Sequence, residues 1–232
     1  MAKWWRFGRA SPRAQRLSVA AGDRLLVLAP HADDETLGAG GLMAATAASG
    51  GQVKTVVLTD GARLRGPLEG AARDALVRAR QVECRAALAA LGAPDVTFLA
   101  ARDRQLRRDA AGLVPELAEI IGRMRPSRIV LPHAADEHAD HRAALRLVRA
   151  ALRRAGRAGR QELLGYEIWT PSRPTHVFAY GQWVDTKRAA LGCYRETFGS
   201  VDLGAAVLGL NQYRAGMAAA ETGWCEGFVA LR

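Results

Sequence analysis

Short apolar runs alternate with longer helical patterns over the first two thirds of the chain. Arg24–Pro30 (RLLVLAP) reads as a strand, Leu37–Ser49 is alanine-rich and helix-prone, Gln52–Thr59 (QVKTVVLT) is strongly β-like, and Leu68–Leu91 has a helical pattern closed by Gly92. Val96–Leu99 continues as a third strand, Val114–Met124 as a third helix stopping before Pro126, Arg128–Leu131 as a fourth strand and Asp140–Arg154 as a fourth helix. This alternation predicts an α/β fold: a Rossmann-like, doubly wound, mostly parallel sheet with helices on both faces. After a Gly/Arg-rich break at Gly156–Arg160 the pattern changes to Glu162–Trp169, a Pro-containing turn, Thr175–Gly181, and helical stretches near Lys187–Tyr194 and Leu203–Ala219. No repeat and no low-complexity linker interrupts it.

Composition adds limits. With 232 residues and 49% hydrophobic content, the chain can bury one sizeable core. The expected organisation is a single domain over residues 21–232, preceded by a basic N-terminal extension, residues 1–20, expected to be poorly ordered. That extension carries Trp4, Trp5 and several arginines but no apolar h-region, and no run approaches the roughly 20 apolar residues of a membrane span. Cys84, Cys193 and Cys225 form no CxxC pair, which argues against a disulfide framework or thiolate metal site and for a reducing, cytoplasmic setting. The net charge of +10 comes mostly from arginine, the lysines being only Lys3, Lys54 and Lys187. These arginines are spread through helix-like segments without interleaved aromatics, so solvated helix faces are expected rather than a specific nucleic-acid surface.

The chemistry lies in two clusters that hold four of the five histidines: Pro30-His31-Ala32-Asp33-Asp34-Glu35, and His133-Ala134-Ala135-Asp136-Glu137-His138-Ala139-Asp140-His141. Each follows an apolar run, and ligands of open α/β sheets bind beyond the carboxyl ends of the strands. Imidazole with carboxylate is a donor set for a divalent metal such as zinc. Plainer readings stand beside this one. Asp33, Asp34 or Asp140 alone would suit a helix N-cap, and Glu35 a first-turn carboxylate favouring the helix dipole. His133 is either a substrate or outer contact or a solvated loop histidine, Asp136 either fixes His138 or His141 or caps a turn, and His176, apart from both clusters, is structural. Gly38-Ala39-Gly40-Gly41 lacks the dinucleotide GxGxxG spacing, and small residues there suit close helix-to-sheet packing.

The first cluster, Ala29-Pro30-His31-Ala32-Asp33-Asp34-Glu35-Thr36-Leu37-Gly38 followed by Gly40-Gly41, resembles the (P/A)HxDDExxG signature of the PIG-L / LmbE-like zinc-dependent N-deacetylases. Pro132 to Asp136 with His138-Ala139-Asp140-His141-Arg142 is similar to that family's DxHxDH stretch, with alanine at 32 and 139 where proline is common. Weaker matches at Thr59-Asp60-Gly61, Arg80 with Glu83, Tyr166-Glu167-Ile168-Trp169, Lys187 and Trp224-Cys225-Glu226-Gly227-Phe228 extend the resemblance over roughly residues 22 to 230. It implies one zinc held by His31, Asp34 and His141 with open positions for water and substrate. Asp33 is then the general base, His138 aids the oxyanion or protonates the leaving amine, and Asp140 orients an imidazole. The implied reaction is removal of an acetyl or other acyl group from an N-acetylated amino sugar or glycoconjugate. An amidase acting on a non-sugar N-acyl substrate and a zinc-bearing binding protein without turnover are the alternatives.

Loops after the second and third strands open on the same rim. Arg63, Arg65, Arg80, Arg102 and Asp103 are therefore candidates for a sugar hydroxyl or a phosphate, against ordinary surface charge. Arg80 and Glu83, three apart on a helix, would alternatively pair with each other, and Cys84 is expected in the core. The expected partner is a small-molecule substrate, with no specific nucleic acid and no membrane span; a homo-oligomer is compatible with the sequence.

Overall fold

The computed structural model describes residues 14–64, 66–218 and 222–231. The strands are β1 (Gln15–Arg16), β2 (Arg24–Ala29), β3 (Gln52–Thr59), β4 (Val96–Ala101), β5 (Arg128–Pro132), β6 (Glu162–Tyr166), β7 (His176–Ala179) and β8 (Cys225–Ala230). The helices are α1 (Asp34–Ala48), α2 (Gly70–Ala90), α3 (Leu106–Met124), α4 (Ala139–Arg154), α5 (Val184–Leu191), α6 (Arg195–Phe198) and α7 (Leu203–Met217). All eight strands join one sheet in the order β1-β7-β8-β6-β5-β2-β3-β4, parallel except where β8 runs against β6 and β7. The predicted doubly wound, mostly parallel sheet is thus observed, with helices on both faces.

The apolar runs are continuous because the central strands are buried on both sides. In β2, Leu25, Val27 and Ala29 face the core under α1, α2 and α5, while Leu26 and Leu28 face the core under α3 and α4. From β2 the chain winds outward through β3 to β4, then returns to place β5 on the other side of β2. That reversal between β2 and β5 is where such sheets open a ligand crevice at their carboxyl ends. Register pairs Val27 with Val130, so the segments leaving these two strands emerge side by side.

Several boundaries differ from the sequence reading. Helix α3 begins at Leu106, eight positions before Val114, because Asp140 accepts from the backbone N–H of Arg104 (2.7 Å) and Leu106 (3.1 Å) and so caps its start. Pro115 then sits inside the helix, although the apolar pattern becomes regular only beyond it. Strand β8, between β6 and β7, carries the buried Glu226 amid its apolar residues, which hides its strand pattern. Leu17 near β1 packs into the core; residues 1–13 of the N-terminal extension lie outside the described residues. Among the described residues no helix is long and apolar enough to cross a membrane.

Candidate metal centre

The turn after β2 carries His31, and α1 starts at Asp34. Asp34 Oδ2 accepts the His31 backbone N–H at 2.8 Å and lies 3.1 Å from His31 Nδ1. The same oxygen is 3.2 Å from Nε2 of His141, which projects from the first turn of α4. One carboxylate oxygen thus sits between two imidazoles from strands that are neighbours only through the fold. His138 is the third ring, its centroid 4.6 Å from His31 and 4.9 Å from His141. Donor atoms of the three histidines all lie within 4.8 Å of one another.

Each imidazole is also held from behind. His141 Nδ1 is 3.1 Å from Asp136 Oδ1, and His31 Nε2 is 3.3 Å from Asp103 Oδ1 and 3.4 Å from Asp140 Oδ2. These three carboxylates are anchored in turn. Asp136 accepts from the N–H of His138 (2.9 Å) and Trp169 (3.2 Å), Asp103 from the N–H of Arg63 (2.9 Å), and Asp140 from the start of α3. Asp136 therefore serves a turn and His141 together. Asp140 caps α3 rather than its own helix; α4 is capped by His138, whose Nδ1 accepts from Asp140 N–H at 3.3 Å.

The donor set fits a divalent cation on a local observation. Both nitrogens of the buried His141, and Nε2 of His31, have carboxylates within 3.4 Å but no hydrogen bond of acceptable alignment. Burial works to lower the His141 pKa, but Asp34 and Asp136 outweigh it and push it up to about 9. Burial would raise Asp34, yet the two imidazoles hold its carboxyl well below the usual range. The cluster attracts positive charge, which protons satisfy when no metal does. His138 goes the other way: burial, then the charges of His31 and His141, lower its pKa and leave it a neutral base.

Asp33 stands beside this cluster and caps nothing with its side chain. Burial raises its pKa to about 6, against the pull of the Arg80 guanidinium 3.5 Å from Oδ1. Arg80 is itself buried, donating to the carbonyls of Gly61 (3.0 Å) and Ala32 (3.3 Å). Its suggested partner Glu83 instead accepts from Glu196 and Thr197 at the start of α6. Glu35 is fully buried: it accepts from Asp33 N–H at 3.1 Å, from Thr36 Oγ1 at 2.8 Å and from the Tyr194 hydroxyl. Tyr194 is invisible to sequence reasoning, as a lone aromatic in a helical stretch carries no signal. Asp60, which accepts from Asp103 N–H at 3.1 Å, was legible only within the weak Thr59-Asp60-Gly61 match.

The remaining candidates separate. His133 turns to the backbone, 2.7 Å from the Thr170 carbonyl, and so belongs to the loop beneath the cluster. Arg102 pairs with Asp109 and Arg63 is exposed, whereas Arg65 lies outside the described residues. His176 sits in β7, 3.7 Å from Glu162. A cleft of about 220 Å³, lined by Asp60, Arg63, Arg73, Arg102, Asp103 and Gln105 among others, adjoins the cluster through Asp103. Two roomier clefts, 280 and 330 Å³, lie away from these donors.

The profile of the family described as PIG-L: GlcNAc-PI de-N-acetylase matches residues 26–152, more than half of the chain and the span that holds both histidine clusters. No functionally curated protein matches. Among solved structures, the conserved protein TT1542 of Thermus thermophilus is 29% identical, covering 90% of this chain and 94% of that one with a TM-score of 0.76. The 4-carboxy-2-hydroxymuconate hydratase GalB of Pseudomonas putida is 24% identical (93% and 97%, TM-score 0.77). The N,N'-diacetylchitobiose deacetylase of Pyrococcus horikoshii is 19% identical (89% and 83%, TM-score 0.71). The last two likenesses establish the fold alone, which is shared by a hydratase and a deacetylase.

Proposed function

The chain belongs to the PIG-L family of de-N-acetylases, and from that premise we propose that it is a zinc-dependent hydrolase removing the acetyl group from an N-acetylated amino sugar or glycoconjugate. The observation that carries this reading is the single oxygen of Asp34 set between His31 and His141, with both His141 nitrogens lacking an aligned hydrogen bond. His31, Asp34 and His141 would hold the metal, a set of three protein ligands that leaves coordination open. Bound zinc supplies Lewis acidity, lowering the pKa of water toward ~7 and polarising an amide carbonyl.

The protein's own groups would do the rest. Asp33, buried and next to the ligand Asp34, would take the proton of the attacking water. His138, neutral and 4.6 Å ring to ring from His31, would steady the developing oxyanion through its ring N–H, and the proton taken up by Asp33 would pass to the leaving amine. Asp136, Asp103 and Asp140 would hold the two ligand imidazoles in one tautomer. Arg80 would fix the carboxylate of Asp33, and Glu35 its backbone N–H. The 220 Å³ cleft beside Asp103 is below the roughly 300–1,000 Å³ of drug-sized sites and suits one sugar ring, with carboxylates and guanidinium groups for its hydroxyls. Structural neighbours that include an N,N'-diacetylchitobiose deacetylase and a deacetylase of the teicoplanin biosynthesis pathway are consistent with that class.

Elemental analysis of the purified protein, with acetate release over a panel of N-acetyl sugars, tests the proposal. About one zinc per chain and release from at least one amino sugar are expected. A metal-loaded protein that leaves every N-acetyl sugar intact, yet hydrates an unsaturated acid or only binds its ligand, would overturn it.

A further inference from the structure

Helix α1 is a smooth rod. Residues Asp34 to Thr46 are all buried, and much of the surface consists of Gly38, Gly40, Gly41 and alanines. A Cβ at Gly38 would stand 2.1 Å from the Tyr166 ring and one at Gly41 would stand 2.4 Å from that of Tyr180, so the helix lies directly on its neighbours. Ridges interlocked in grooves are what resist sliding between packed elements, and a helix of small residues offers few. Yet Asp33 and Asp34 at its start need placement to within about 0.5 Å for the chemistry proposed above.

Two charged groups outside the mechanism grip the helix at mid-length. Lys187 of α5 and Glu226 of β8 pair at 2.7 Å with both side chains fully buried. Lys187 Nζ donates to the Leu37 carbonyl at 2.9 Å and to Asn211 Oδ1 at 3.1 Å. Glu226 accepts from Gly41 N–H at 2.7 Å and Leu42 N–H at 2.9 Å, one carboxylate oxygen each. In a regular helix the Leu37 carbonyl takes the Gly41 N–H. The ion pair therefore spans that rung, cation on the carbonyl and anion on the amide, the signs that helix ends favour. Gly40 leaves space for the lysine stem, since a Cβ there would meet Lys187 Cγ at 3.2 Å.

A buried ion pair contributes little net stability relative to apolar residues of similar volume. Its distinctive contribution is directional: several hydrogen bonds onto one turn fix both the rotation and the axial position of that turn. We propose that Lys187 and Glu226 are positioning residues that set the register of α1 and thereby place Asp33 and Asp34, an inference that rests on the metal-centre reading above.

The test combines Lys187→Met with Glu226→Leu, which removes both charges of the pair together and leaves the Leu37–Gly41 rung to the helix alone. The double variant is expected to melt no lower than the parent. Amide exchange over Asp34–Gly41 should quicken, and the metal-free protein should bind Co²⁺ ~10-fold more weakly, the scale of a displaced ligand support. Turnover should fall ~10-fold with KM within about twofold, the split expected of a misplaced reacting group. Parental Co²⁺ affinity, exchange and kcat in a folded double variant would overturn the proposal. Should that variant fail to fold, Gly40→Ala takes its place: it favours the helix intrinsically while crowding Lys187. The same losses are expected without a lower melting temperature, and unchanged Co²⁺ affinity and exchange would refute the idea. Co²⁺ binding and exchange are read without substrate, so an absence of sugar deacetylase activity in the parent defeats the functional reading while these still decide the register.

Discussion

His31 and His141 turn one ring nitrogen each toward the same oxygen of Asp34, but they are supported differently behind. His141 is fully buried and backed by one carboxylate, Asp136, from the loop that leads into its own helix. His31 is 8% exposed and backed by two, Asp103 from the β4–α3 loop and Asp140 from α4. Asp103 also lines the cleft. One arm is therefore sealed and local, whereas the other is assembled from separate loops and shares a wall with the proposed substrate site. Beyond direct contact with the metal, an effect of substrate on the protein ligands should reach His31 before His141.

The largest expected effect would break both arms. His31→Ala, Asp34→Ala and His141→Ala should each reduce zinc from about one per chain to near none, because three-ligand sites rarely tolerate losing one; full metal content in all three would end the assignment. Asp33→Asn should retain zinc and fold while kcat falls by ~10²-fold or more, as for a lost general base. Near-normal acetate release would remove Asp33 from that role. His138→Ala should lower kcat more than it raises KM, since its contribution belongs to the transition state, and an effect on KM alone would recast it as a ground-state contact.

Two smaller experiments separate the arms. Asp136→Asn and Asp103→Asn should each weaken zinc affinity by ~10- to 100-fold, but only Asp103→Asn should also raise KM. Equal KM values would mean that the cleft is not the substrate site. The smallest effect is a pH dependence of the metal-free protein. The folded-state pKa of His141, about 9, exceeds its unfolded value of ~6.5, so its stabilisation is full below the latter and lost as pH rises through the former. Melting temperature should fall across that interval in the metal-free protein and less so in Asp136→Asn, where one of the raising carboxylates is gone. Parallel curves would show that Asp136 does not hold the His141 proton.

The parts of this site that the sequence disclosed are those that lie close together in it. His31 with Asp34, and Asp136 through His141, fall on short segments next to apolar runs, so spacing and strand periodicity place them at the carboxyl edge of the sheet. Asp103 emerged only as one of several rim charges, because nothing in its own loop points to His31. Arg80 and Glu83 satisfied a helical spacing rule, yet the fold offered each a better partner in another element. Lys187 and Glu226 were legible only as weak family matches and Tyr194 only as the end of a helical stretch; that Lys187 and Glu226 pair emerges only when α5 and β8 close on α1. Gly38, Gly40 and Gly41 were readable as close packing, which the Tyr166 and Tyr180 rings bear out.

The reversal of the winding between β2 and β5 carries a consequence in time as well as space. Arg24 and Ser127, at the feet of these strands, hydrogen-bond across 103 residues of chain. Parallel pairing over that distance is slow, because most of the loop-closure entropy is lost before any contact compensates for it. His31 and Asp34 lie three residues apart in one turn, whereas His141 arrives only with β5 and the helix that follows it. On the proposed ligand set, a metal ion captured early would be held by two groups and loosely, and would become tightly bound only when the central strands have met. Metal affinity would then grow as folding completes, and zinc should slow unfolding far more than it speeds folding.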